Sequence, residues 1–141
     1  MKLFDTSSLI AAMLSDHSAH LAAQKAFLEA RAAGLACVSA HSLLELYSVL
    51  TGMPRAPRIS PVIAQRMIDT NLTGCLHIPL ELNDYIAVTT RVVGLQLAGG
   101  VVYDALIAQC ALKVGATAIV TLNAKHFRRL GADVEALVIE P

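Results

Sequence analysis

The sequence predicts an α/β fold of three layers, α/β/α, with a central parallel sheet between helices. Two observations carry this. Short apolar, β-like runs alternate with longer helical runs along the chain, and strands separated by helices pair in parallel through right-handed crossovers. The composition agrees: hydrophobic residues make up 55% of the chain and charged residues 16%. That balance suits a sheet covered on both faces, or apolar surface that a partner hides.

Each element follows from local pattern. Lys2–Asp5 reads as a short strand ending in an acid, and Ser7–Leu14 as a short helix. His17–Ala33 is an Ala-rich helix carrying Leu21, Phe27 and Leu28, stopped by Gly34. Leu35–Ser39 is a strand, followed by a helix over Ala40–Leu50 with Leu43, Leu44, Tyr47 and Leu50 as its apolar stripe. Residues 52–61 hold three prolines and form a loop. Ser60-Pro61 is an N-cap followed by Pro at the first helical position, so a helix runs from Pro61 to about Leu72. Cys75–Leu80 is the next strand and Asn83–Val93 the next helix. A flexible segment, 94–100, leads to an apolar helix over Tyr103–Val114, which Gly115 stops. Ala116–Thr121 is a strand, Asn123–Leu130 a short helix and Ala136–Ile139 the last strand.

The 141 residues suit a single domain over 1–141, since domains cluster at about 100–150 residues. High apolar content excludes disorder as the main state. No run reaches the 18 apolar residues of a membrane span, and Asp5 interrupts any signal-like apolar stretch. Cys37, Cys75 and Cys110 lie far apart without a CxxC pair, as expected of buried, reduced thiols in a cytoplasmic protein. Eleven basic and eleven acidic residues cancel, which excludes nucleic-acid binding by bulk positive charge. Aromatics are only 4%, too few to build a stacking platform for bases.

Open α/β sheets bind ligands at the carboxyl ends of their strands. Four polar residues fall there or at the start of the following helix: Asp5, Glu45, Asp104 and Asn123. Asp5 and Asn123 each suit a helix N-cap. Glu45 suits the polar side of an amphipathic helix, and Asp104 a favourable first-turn acid. Taken together, three acids converge on one edge, where mutual repulsion calls for a cation. Carboxylates without His or Cys partners prefer the hard ions Mg²⁺ or Mn²⁺. Such an ion binds phosphate and lowers the pKa of a bound water, so the pattern points to metal-assisted phosphodiester cleavage.

At this point the sequence resembles a PIN domain, specifically the VapC-type toxin ribonucleases of bacterial toxin–antitoxin pairs. The resemblance runs from Lys2 to about Ile139. Its carriers are Leu3-Phe4-Asp5-Thr6-Ser7-Ser8-Leu9-Ile10, Ser42-Leu43-Leu44-Glu45-Leu46 and Val102-Tyr103-Asp104-Ala105-Leu106-Ile107-Ala108. A fourth segment is Ala118-Ile119-Val120-Thr121-Leu122-Asn123-Ala124-Lys125-His126-Phe127. The resemblance implies a parallel sheet between helices and acids that bind Mg²⁺ or Mn²⁺. By position, Asp5, Glu45 and Asp104 match the core acids, and Thr6 and Ser7 the hydroxyl residues beside the first. The last motif of the family often reads T-x-N-x-x-D-F. Thr121, Asn123 and Phe127 match it, but His126 stands in place of the acid. With fewer anionic ligands, a single metal ion is expected. The implied reaction is an endoribonuclease cut leaving a 5′-phosphate and a 3′-hydroxyl. Arg55, Arg58, Lys125, His126, Arg128 and Arg129 are candidate phosphate contacts. The resemblance also implies a homodimer and an antitoxin partner, whose tail covers a groove walled by Pro61–Leu72 and His17–Ala33.

The remaining histidines read as ordinary. His17 and His20 suit an exposed helix face, and His77 sits in a strand. His41 lies one turn before Glu45 and reaches the site's edge if the helix faces that way. Gly99-Gly100 lacks the Gly-Lys-Ser/Thr of a phosphate loop, and no GxGxxG follows the first strand. A dehalogenase-like phosphoryl enzyme carries a second Asp where Ser7 stands. The alternative to a nuclease is a catalytically silent PIN-like module that acts by protein binding.

Overall fold

In the computed structural model, which describes residues 1–141, the alternating runs become five strands and eight helices. They are β1 (Lys2–Phe4), α1 (Thr6–Met13), α2 (His20–Ala32), β2 (Ala36–Ser39), α3 (Ala40–Gly52), α4 (Pro61–Leu72) and β3 (Leu76–Ile78). Then come α5 (Leu82–Gly94), α6 (Val101–Lys113), β4 (Ala118–Val120), α7 (Ala124–Arg128), α8 (Ala132–Glu135) and β5 (Val138–Ile139).

The strands form one sheet in the order β3-β2-β1-β4-β5, and every pairing is parallel. The chain first builds outward from β1 on one side, then crosses over to place β4 on the other. The order therefore reverses at β1, and the crevice between the carboxyl ends of β1 and β4 is where such a sheet binds its ligand.

Strand alternation sorts the core into two layers. Phe4, Val38 and Val120 pack with α1, α2, α3 and α4. Leu3, Cys37 and Ile119 pack with α5, α6, α7 and α8. Both faces of the three central strands are thus covered, which is why their sequences read as continuous apolar runs. Phe4 meets Phe27 of α2 edge to face, with centroids 5.1 Å apart, a geometry worth about 0.5–1.5 kcal/mol beyond burial.

The structure corrects several expectations. The strands are shorter: Asp5 lies outside β1 and caps α1, its side chain accepting from the Ser7 N–H. The stripe on α3 is also different. Leu44 and Tyr47 are exposed, while Ser42, Leu46 and Leu50 are buried. The i, i+4, i+8 row faces the sheet, and Leu content alone misassigned the face. Leu21 and Leu28 of α2 are likewise exposed, leaving Ala23, Phe27 and Ala30 inside. His17 and His20 are not on a free helix face. His17 lies in the turn before α2, and Nδ1 of His20 bonds the Ala11 carbonyl at 2.9 Å. Cys75 is half-buried rather than buried. A short helix, α8, stands where the local pattern predicts only a connection between α7 and the last strand. It begins after Gly131, whose φ of +111° is open to glycine and strained for other residues.

A candidate active site at the carboxyl edge of the sheet

Asp5 follows β1 and is only 3% exposed. Its Oδ2 accepts from the Ser7 hydroxyl at 2.6 Å, the Thr121 hydroxyl at 2.8 Å and the Ser7 N–H at 3.3 Å. Those hydroxyls are themselves oriented by backbone. The Leu122 N–H donates to Ser7 Oγ at 3.0 Å, and the Asn123 N–H to Thr121 Oγ1 at 2.9 Å. Each hydroxyl has one proton, so accepting from the backbone directs that proton onto the carboxylate. A small hydroxyl residue at 7 and at 121 is what this relay needs. Oδ1 has no protein donor, and Asp5 lines the cleft described below.

Glu45 comes from α3. Its Oε2 accepts from the Thr6 hydroxyl at 2.6 Å, and its Oε1 lies 3.4 Å from His41 Nε2. The His41 ring stacks on Tyr103, with centroids 5.7 Å apart and planes 5° apart, so it reaches the site's edge. Asp104 sits in the first turn of α6. That helix is tied to α5 by Lys113 and Gln109, which donate to Asp84 at 2.7 and 3.2 Å. His126 Nδ1 lies 3.5 Å from Asp104 Oδ2. Burial, and next the charge of Asp5, push the Asp104 carboxyl up to about 6, against the opposing pull of His126.

Asp5, Thr6, Ser7, Glu45, Asp104 and Asn123 line one cleft of 510 Å³. Three chain segments thus deliver three acids to the crevice where strand order reverses. No Lys or Arg lines it. No three His, Cys, Asp or Glu side chains stand close enough to enclose an ion as they are. The acids flank an open cleft rather than a closed cage. That suits Mg²⁺, which keeps several waters and is held by one or two carboxylates together with substrate phosphate. The charge of Asp5, second to burial, contributes to the raised Asp104 carboxyl, as clustered carboxylates do for one another.

The other expected residues are placed as follows. Thr121 is fully buried behind Asp5. Asn123 precedes α7 without a side-chain capping bond, so its amide stays free at the cleft. His126 and Arg129 line an adjoining groove of 380 Å³ that also includes Asp104. Arg55 pairs with Asp16 at 3.1 Å, and Arg128 lies 3.9 Å from Glu140. Arg55, Arg58, Lys125 and Arg128 line neither cavity. Sequence reasoning missed His17 and Ser48, both of which line the cleft. No sequence signal marks them, because a turn between α1 and α2 and the pitch of α3 bring them there.

Comparison with known proteins bears on this geometry. The PIN domain family matches residues 2–133. Ribonuclease VapC40 of Mycobacterium tuberculosis (strain ATCC 25618 / H37Rv) is 32% identical over 133 residues, covering 93% of this chain and 95% of the relative. Ribonuclease VapC27 of the same strain is 36% identical over 108 residues, covering 76% of this chain and 74% of the relative. Among solved structures, VapBC2 from Rickettsia felis, bound to a DNA fragment from their promoter, superposes with a TM-score of 0.71. It is 19% identical, and the match covers 99% of this chain and 97% of that one. PAE2754 from Pyrobaculum aerophilum gives a TM-score of 0.64 at 19% identity, covering 99% and 82%. At that identity the two structures speak to the fold.

Proposed function

This chain belongs to the PIN domain family, in its VapC-type branch, and on that premise we propose that it is a divalent-metal-dependent endoribonuclease. We assign it the part of the toxin in a type II toxin–antitoxin pair, acting in the cytoplasm as a homodimer restrained by a cognate antitoxin. One observation carries the catalytic reading: Asp5, Glu45 and Asp104, from three separate segments, line one cleft at the switch point of the sheet. Kinship with two proteins named ribonucleases supports the choice of RNA. No helix is long and apolar enough to cross a membrane.

In this reading Asp5, Asp104 and Glu45 would supply the carboxylates that hold a Mg²⁺ or Mn²⁺ ion. When bound, such an ion polarises a water and neutralises charge on the scissile phosphate. The chain's own groups do the positioning. Ser7 and Thr121 occupy Oδ2 of Asp5 and leave its Oδ1 without a protein donor. Thr6 fixes Glu45, and partners of this kind typically change metal affinity or activity about 10–100-fold when removed. Asn123 offers its free amide to a phosphate oxygen. His126, where relatives often carry an acid, and Arg129 attract the RNA backbone on the far side of Asp104. Arg55, Arg58, Lys125 and Arg128 supply weaker, salt-sensitive attraction from further out.

The test is cleavage of a mixed cellular RNA pool by the purified, antitoxin-free protein, with Mg²⁺ or Mn²⁺, with EDTA, and beside Asp5→Ala. Metal-dependent cleavage that Asp5→Ala abolishes supports the reading. Cleavage that survives both EDTA and the substitution refutes this site. No cleavage under any condition favours the silent binding module.

A further inference from the structure

Glu45 and Asp104 reach the cleft from helices on opposite sides of the sheet. Through Leu46 and Leu50, α3 packs in the layer of α1, α2 and α4. Through Ile107 and Ala108, α6 packs in the layer of α5, α7 and α8. The two helices do not pack along one another. Core packing therefore fixes each acid to its own layer and to the sheet, but not directly to the other acid. Like charges so placed repel, and repulsion favours a wider gap between them.

A side-chain contact spans the two helices beside the acids. His41, one turn before Glu45 on α3, stacks on Tyr103, the residue before Asp104 on α6. The planes are 5° apart and the centroids 5.7 Å. The same imidazole sets its Nε2 3.4 Å from Oε1 of Glu45. One ring thus meets both helices, with a face on Tyr103 and an edge on Glu45. Thr6 donates to the other oxygen of Glu45 at 2.6 Å, so the carboxylate is held from two sides. Neither ring of the stack lines the cleft, and Tyr103 is half exposed, which leaves it little part in the core.

Spacing matters most for a small, hard ion. Mg²⁺ demands near-ideal octahedral geometry at about 2.0–2.1 Å, whereas Ca²⁺ accepts flexible geometry at about 2.3–2.6 Å. Acids free to drift apart lose Mg²⁺ before they lose Ca²⁺. We propose that the His41–Tyr103 stack is a bridge that sets the spacing of Glu45 and Asp104, and so tunes the site toward the smaller divalent ion. The inference rests on the reading of these acids as metal-holding. His41 and Tyr103 are positioning residues, which act through Glu45 and Asp104 and not on RNA.

The test measures ion binding by the purified, antitoxin-free protein, with no RNA present. Mn²⁺ is titrated by calorimetry, and affinities for Mg²⁺ and Ca²⁺ are read from displacement of Mn²⁺. Wild type is compared with Tyr103→Ala, Tyr103→Phe, His41→Ala and the double variant of His41→Ala with Tyr103→Ala. Tyr103→Ala removes the ring from an exposed position, and Tyr103→Phe keeps the ring. In Tyr103→Ala the preference for Mg²⁺ over Ca²⁺ is expected to fall about 2- to 10-fold, the worth of one aromatic pair. Tyr103→Phe keeps the wild-type preference. The double variant falls no further than His41→Ala, since the stack is already gone. The preference is a ratio of two constants, so a lower folded fraction leaves it unchanged. An unchanged ratio in Tyr103→Ala overturns the inference. So does an equal loss in Tyr103→Phe, or a double variant in which the two losses add. In each of those cases Mn²⁺ binding that Asp5→Ala abolishes leaves the metal-dependent reading standing. A wild-type protein that binds none of the three ions removes both.

Discussion

The Thr121 hydroxyl, just past β4, donates to Asp5 Oδ2, just past β1, at 2.8 Å across 116 residues of sequence. The bond exists because β1 and β4 pair in parallel, with Phe4 opposite Val120. The next residue on each strand then emerges side by side at the carboxyl edge. Asp5 is the cap of α1 and a wall of the cleft at once. Capping uses Oδ2, and Oδ1 has no protein donor.

Thr121→Val keeps the shape of the side chain and removes the donor. Oδ2 retains Ser7, but the buried carboxylate loses one of its hydroxyl bonds. We expect thermal unfolding to show a loss of about 1–2 kcal/mol, and metal-dependent cleavage to fall about 10–100-fold. Thr121→Ser should restore most of both.

Thr6→Ala frees Glu45 from its 2.6 Å bond. Isothermal titration with Mn²⁺ should show affinity reduced about 10–100-fold. The fold should be nearly unaffected, because Glu45 still faces solvent at the cleft. Thr6→Ser should titrate like wild type.

Asp104 has its carboxyl raised to about 6, well above the ordinary range of a carboxylate. The native state therefore holds the proton more tightly than the unfolded chain, and stability falls as pH rises from about 4 to about 6. In EDTA, Asp104→Asn removes that penalty. It should be more stable than wild type by about 1–2 kcal/mol at pH 7.5, with the difference vanishing near pH 4. Denaturant melts across pH read this directly, and a constant difference at all pH values contradicts it.

His126→Asp restores an acid beside Asp104, 3.5 Å from where the imidazole now lies. It replaces an attraction by a repulsion. The metal-free protein should melt lower than wild type, and added Mn²⁺ should raise its melting temperature by more. Equal shifts in both proteins contradict a shared ion at these acids.

Gly131→Ala should cost about 1–3 kcal/mol. The backbone there has φ +111°, and a Cβ would lie 3.0 Å from Asp133 Oδ1 and 3.2 Å from Arg91 Nη1. The Arg91–Asp133 pair, at 2.7 Å, would have to shift. Chemical denaturation measures the loss, and cleavage by the remaining folded protein should be unchanged.

Much of the architecture was legible from local pattern. The alternation of apolar runs with Gly- and Pro-bounded helices determined the layers, and Ser60-Pro61 determined the start of α4 at the residue. Asp5, Glu45 and Asp104 were legible as candidates because acids at the carboxyl edge of a parallel sheet have few bland explanations in common. Tertiary structure alone decided the rest. Which face of α3 turns inward depends on how the helix docks, so Leu44 and Tyr47 lie outside despite their chemistry. Which cations border the site depends on where α7 lies against α6, and that put Arg129 beside Asp104 while Arg55 turned to Asp16. His17 entered the cleft through a turn that carries no periodicity. Local sequence encodes what a segment becomes. The partners of a side chain 30 or 100 residues away are set by strand order and helix packing, which no local pattern records.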